Sequence, residues 1–121
     1  MRLLGTLVLP SFRKSSAEFR TTVSNPSGVR GKAELVFRFR NGKDERTFRH
    51  SFMLNGEKRQ RVKFSEAWKN PVLWSAENPQ LYTQILSLNV NGAPADTLPE
   101  RQFGFREAWV ENGEFRLNGL K

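Results

Sequence analysis

The stretch AELVFRFRNG, residues 33–42, decides the fold. Leu35, Phe37 and Phe39 fall on one side of an extended chain, while Val36, Arg38 and Arg40 fall on the other. Side chains alternate across a strand with period two, so this pattern predicts a half-buried β-strand rather than a helix. The same period recurs outward in both directions. In RTFRHSFML, Phe48 and Phe52 share a side with His50, opposite Arg49. In KRQRVKF, Val62 and Phe64 oppose Arg59, Arg61 and Lys63. In LYTQILSLNV, Tyr82, Leu86, Leu88 and Val90 line up, with Gln84 as a polar interruption.

Turn chemistry separates these runs. Asn-Gly stands at 41–42, 55–56, 91–92, 112–113 and 118–119, and SNPSG, KNP and NVNGAPAD supply further breaks. Asn-Gly favours positive φ and tight hairpin turns. Short strands punctuated in this way predict an all-β fold, an immunoglobulin-like antiparallel β-sandwich of about seven strands. The expected strands are 3–9, 16–24, 30–40, 45–54, 58–64, 81–90 and 98–110. A short strand at 114–118 pairs back on 107–111 through Glu-Asn-Gly. Only SEAWK, residues 65–69, has helical character, and it is too short to stand alone as a helix.

The chain has 121 residues, a single-domain length (1–121), and no cysteine, which excludes disulfides and cysteine-based metal sites. No apolar run approaches the roughly 20 residues of a membrane-spanning helix, so no membrane partner is expected. The opening MRLLGTLVLPSFRK has a basic residue and an apolar stretch but no small-residue cleavage site, so it reads as a first strand rather than a leader.

A net charge of +8 raises nucleic acid as a partner. Arg38, Arg40, Arg49, Arg59, Arg61 and Lys63 occupy the polar phase of their strands, whereas a stacking platform for bases interleaves aromatic rings with the cations on one face. Here the phenylalanines take the opposite phase. A solvated, charged sheet surface that resists edge association explains the arrangement, and no nucleic-acid partner is expected.

No catalytic residue, cofactor site or metal site emerges from the residues themselves. His50 is the lone histidine, and it lies in phase with Phe48 and Phe52, which makes it a packing residue. No other ligand or base accompanies it. Glu18, Glu34, Asp44, Glu45 and Glu57 read as turn or polar-face residues, and no spacing selects a carboxylate pair. Ser15-Ser16 lacks the glycine-flanked elbow that exposes a nucleophile, and no glycine-rich phosphate loop occurs. Trp74 and Tyr82 flank the Pro79 turn. They suit either a sugar-stacking platform or a structural pair, with Trp74 plugging the end of the sandwich and Tyr82 holding its hydroxyl on a turn backbone.

Trp74-Ser75, Pro79-Gln80-Leu81-Tyr82, Asp96, Phe103-Gly104-Phe105-Arg106-Glu107 and Phe115-Arg116-Leu117-Asn118-Gly119 follow one another in fixed order. Together they resemble the immunoglobulin-like β-sandwich domain of glycoside hydrolase family 2, which includes β-galactosidases, β-mannosidases and β-glucuronidases. These motifs cover residues 72–119. Earlier, VSNPSG is similar to the family's Val-x-Asn turn. The resemblance implies a non-catalytic spacer that links a sugar-binding jelly-roll domain to a catalytic (β/α)8 barrel. It also implies a fragment of a larger retaining, β-galactosidase-like enzyme of carbohydrate metabolism. In such enzymes the acid/base glutamate follows an asparagine, and no Asn-Glu dipeptide occurs here, so the chain alone is expected to be inactive. The implied partners are those two domains, with oligomer contacts in the parent. The compartment, cytoplasmic, periplasmic or secreted, would follow from a leader ahead of the jelly roll. The alternative is a free-standing carbohydrate-binding or adhesion module. Phe103, Phe105 and Trp109 are expected to anchor the last strand, in the core or at the barrel interface, with Gly104 permitting close packing.

Overall fold

The computed structural model describes residues 1–11, 13–73, 80–106, 108–111 and 114–117, with 108–111 and 114–116 described as strand backbone only. Among the described residues, ten strands follow in chain order: β1 (Arg2–Ser11), β2 (Ser16–Ser24), β3 (Arg30–Asn41), β4 (Asp44–Asn55), β5 (Arg59–Ala67), β6 (Tyr82–Val90), β7 (Ala93–Thr97), β8 (Arg101–Phe103), β9 (Ala108–Glu111) and β10 (Glu114–Leu117). One sheet has the order β1-β2-β5. The other has the order β4-β3-β6-β7, with β8 also paired to β6. All pairings between these strands are antiparallel, and β9-β10 form a separate hairpin in the expected register, Leu117 opposite Ala108. This is an all-β sandwich. Because β7 and β8 pair along β6 in succession, the two sheets hold eight strands where the sequence suggests about seven.

The core lies where the alternation places it. Phe19, Leu35, Phe37, Phe39, Tyr82, Leu86 and Leu88 are fully buried between the sheets. Phe19 of one sheet meets Phe37 of the other at 4.8 Å between ring centroids, and it stacks on Phe64, also at 4.8 Å. Tilted and offset contacts of this kind suit the ring quadrupoles and add to the gain from burial.

Three local expectations are corrected. The strand expected at 58–64 runs on into SEAWK: β5 continues to Ala67, because Ser65, Glu66 and Ala67 pair with Glu18, Ala17 and Ser16 of β2. Cross-strand pairing here overrides local propensity. Second, NVNGAPAD is not only a break between strands, since its second half begins β7. Asn91 (φ 50°) and Gly92 (φ 81°) form a two-residue turn of the primed type, so Val90 pairs with Ala93 and β7 returns at once along β6. Pro94, which has no N–H to give a ladder, sits where that register slips. Third, 98–110 is not one strand. After β8, Phe105 leaves β6 and forms a parallel bridge with Leu73, and β9 then belongs to its own hairpin.

At β1 an irregularity between Leu3 and Gly5 sets the phase of the whole strand. Leu3 points into the core, yet Leu7 and Leu9, four and six residues on, are exposed. One extra residue in a strand reverses the side its later residues face.

Candidate functional site

Tyr82 opens β6 and is fully buried. Its hydroxyl donates to Asp44 Oδ2 at 2.6 Å and accepts from the Val72 N–H at 2.8 Å. Asp44 opens β4 and also takes an ion pair from Arg46 Nε at 3.0 Å. Arg46 in turn donates from Nη2 to the carbonyls of Lys69 and Asn70, at 2.5 and 3.3 Å. Its guanidinium lies 5.9 Å from the Trp68 ring centroid. The polar corner therefore clamps residues 69–72 against the starts of β4 and β6.

The charges respond to this arrangement. Burial, reinforced by the adjacent Asp44 carboxylate, pushes the Tyr82 hydroxyl up to about 12. Burial opposes ionisation of Asp44 as well, but hydrogen bonds from Tyr82 and Arg46 and the charge of Arg46 outweigh it. The carboxyl is held below its usual range.

Trp68 is the centre of the adjoining aromatic cluster. Its ring lies 4.7 Å from Phe39, 5.1 Å from Phe48, 5.3 Å from Tyr82 and 5.2 Å from Phe105. Its backbone N–H donates to the Ser15 carbonyl at 2.8 Å. The buried indole Nε1 has no hydrogen-bond partner among the described residues. Sequence reading passed over Trp68, since its neighbours look helical; the signal that could have found it was an apolar aromatic just after the Val62–Phe64 alternation.

Phe105 is fully buried and meets Trp68 edge-on, while Phe103 is half-buried 5.2 Å from Phe39. Both pack in or against the core as expected, but not on one last strand: Phe103 ends β8 and Phe105 lies beyond it. The side chain of Trp109, and Trp74, Ser75, Pro79, Glu107, Asn118 and Gly119, lie outside the described residues. Tyr82 cannot serve a sugar platform, because its ring has no exposed surface.

Asp96 and Asn25 also act within the domain. Asp96 accepts from the Leu3 N–H at 2.7 Å, joining β7 of one sheet to β1 of the other. Buried Asn25 donates from Nδ2 to the Val29 carbonyl at 2.8 Å and accepts from the Val29 N–H at 3.0 Å, which closes the loop between β2 and β3. His50 is half-buried and stacks on Phe64 at 4.3 Å and 5°. Glu18 pairs with Arg20 and Lys63, and Glu34 pairs with Arg49. Glu45 lies 3.9 Å from Arg40, and Glu57 donates its N–H to Asn55 Oδ1 in the turn after β4. The described residues contain no group of three histidine, aspartate or glutamate side chains placed to hold a metal ion, and no helix long and apolar enough to cross a membrane.

Residues 5–106 match the family model of glycosyl hydrolases family 2. The chain belongs to that family. Among solved structures, it is similar to a glycosyl hydrolase family 2 member from Bacteroides cellulosilyticus DSM 14838, with 24% identity and a TM-score of 0.80 over 98% of this chain and 17% of that one. A family 2 β-galacturonidase from Eisenbergiella tayi, bound to galacturonate, matches with 25% identity and a TM-score of 0.74 over 98% of this chain and 21% of that one. A Bacteroides uniformis β-glucuronidase matches at 20% identity, with a TM-score of 0.70 over 98% of this chain and 15% of that one. The family 2 chain therefore spans about a sixth to a fifth of the length of these enzymes.

Proposed function

We propose that this chain is the spacer domain of a larger retaining β-glycosidase of the β-galactosidase type. It holds a sugar-binding jelly-roll domain in fixed orientation to a catalytic (β/α)8 barrel and contributes no catalytic residue of its own. One observation carries this reading. Three polar residues behind the family resemblance, Tyr82, Asp96 and Asn25, engage their polar atoms with the backbone and side chains of this same domain. Such residues build a rigid body rather than a substrate pocket, and rigidity is what a spacer needs.

The test compares the 121-residue chain with the enzyme that contains it, on nitrophenyl β-galactoside, β-glucuronide and β-mannoside. The expected result is turnover of at least one substrate by the longer enzyme and none by the chain alone. Turnover by the isolated chain would sink the proposal. Sugar binding by the isolated chain on a glycan array would favour a free-standing carbohydrate-binding module instead.

A further inference from the structure

The outer face of the β1-β2-β5 sheet differs from the rest of the surface. Leu4, Leu7 and Leu9 of β1 are 49%, 50% and 39% exposed, and they stand on one edge strand, whereas the other large exposed apolar side chains among the described residues, Val29, Met53 and Leu81, are scattered. Single exposed apolar residues are ordinary, but a contiguous row is not. The irregularity at Leu3/Gly5 is what turns this row outward.

The strands beside it carry cations on the same face. Leu7 pairs with Arg20, which pairs with Lys63; Gly5 pairs with Thr22, which pairs with Arg61; and Arg2 pairs with Ser24, which pairs with Arg59. Directly paired residues project to the same side of a sheet. Five cations thus face outward, against one carboxylate, Glu18. Arg59 and Arg61 form no ion pair among the described residues. Glu18 shows how a carboxylate seats here, at 2.8 Å from Arg20 and 3.3 Å from Lys63. Between the leucine row and the cations lies a shallow depression of about 550 Å³, bordered by Gly5, Leu7, Arg20, Arg61 and Lys63.

We infer that this face is a docking surface for a carboxylate-bearing protein surface with an apolar ridge, supplied by an adjoining domain of the same enzyme. The inference rests on the spacer reading and assigns the face by which the spacer is held. Charge complementarity selects the occupant. A second copy of the chain would set cations against cations. A nucleic acid would satisfy the charge but not the leucines, and among the described residues this face presents no aromatic ring for bases to stack on.

The test is amide chemical-shift titration of the full 121-residue chain at physiological salt with three probes: a capped octapeptide alternating leucine and glutamate, its leucine–lysine counterpart, and octathymidylate. The leucine–glutamate peptide should shift amides of β1, β2 and β5 and leave β3, β4 and β6 alone, and the leucine–lysine peptide should shift none. The double change Arg59→Glu and Arg61→Glu, at two exposed positions, should keep the amide dispersion of a folded chain and weaken that binding about tenfold. No response to the leucine–glutamate peptide overturns the inference. So does tighter binding of octathymidylate, or shifts that follow chain concentration alone and so report self-association. Because the glycosidase assay is separate, a silent titration overturns the docking surface and leaves the spacer reading standing.

Discussion

The hydroxyl of Tyr82 donates to the carboxylate of Asp44 at 2.6 Å across 38 positions of sequence, joining the first residue of β6 to the first residue of β4. The same oxygen accepts from the Val72 N–H, so one phenol fixes three separate segments. Tyr82→Phe keeps the ring and its packing on Trp68 but leaves the part-buried Val72 N–H without its acceptor and takes one donor from the Asp44 carboxylate, which keeps Arg46. The expected loss is about 1–3 kcal/mol, read from the urea midpoint at neutral pH. An unchanged midpoint would mean that the corner contributes no net stability.

The two titrations of this corner act at opposite ends of the pH scale. Tyr82 is raised to about 12 in the folded chain, so folding favours its protonated form. Its contribution is fully present below about 10, the ordinary tyrosine value, and is lost as pH rises through the folded value. Asp44 is lowered, so its contribution is present above about 4 and is lost as pH falls below that. Thermal melts across pH should therefore decline at both ends. Tyr82→Phe should flatten the alkaline decline, and Asp44→Asn should flatten the acid one. A wild-type alkaline limb that survives Tyr82→Phe unaltered would assign it to another group.

Phe105→Ala removes a fully buried ring that meets Trp68 edge-on at 5.2 Å. Truncation of a buried phenylalanine costs about 3–5 kcal/mol through lost transfer energy and the cavity left behind. Calorimetry on the isolated chain should show a large drop in Tm. If Tm holds, the Phe-Gly-Phe motif does not anchor the core. Phe103→Ala, half-buried, should cost less.

The sheets were legible in sequence because period-two alternation depends only on neighbours: Phe37 and Phe39 face inward for the reason their spacing suggests. Tyr82 was legible as a corner residue, since it opens a strand in phase with Leu86 and Leu88. What escaped depends on partners far along the chain. SEAWK looks helical until β2 is laid beside it. The run Leu3-Leu4-Gly5 gives no sign of the irregularity that turns Leu7 and Leu9 outward, because every candidate residue there is apolar or glycine. Pro94 stands in a run that reads as a break, yet the tight Asn91-Gly92 turn carries the chain straight into a strand that includes it. Nor could sequence spacing supply the bond of Asp96, whose partner lies 93 positions away.

That bond yields the last prediction. Asp96 Oδ2 takes the Leu3 N–H at 2.7 Å and so holds the start of edge strand β1 against the opposite sheet. Leu3 itself is buried, so its side chain and its N–H are fixed together. Asp96→Ala removes the acceptor and leaves a part-buried N–H unpaired, at a cost of about 1–3 kcal/mol. The effect should be local first: the Leu3 amide and its neighbours in β1 exchange hydrogen faster, while amides of β3 and β6 keep their relative protection. Asp96→Asn keeps an acceptor oxygen in place and should restore most of the protection, minus the share due to charge. Equal exchange at Leu3 in wild type and Asp96→Ala would show that β1 is held by its pairing with β2 alone. In that case the aspartate of the family motif would be free for work outside this domain.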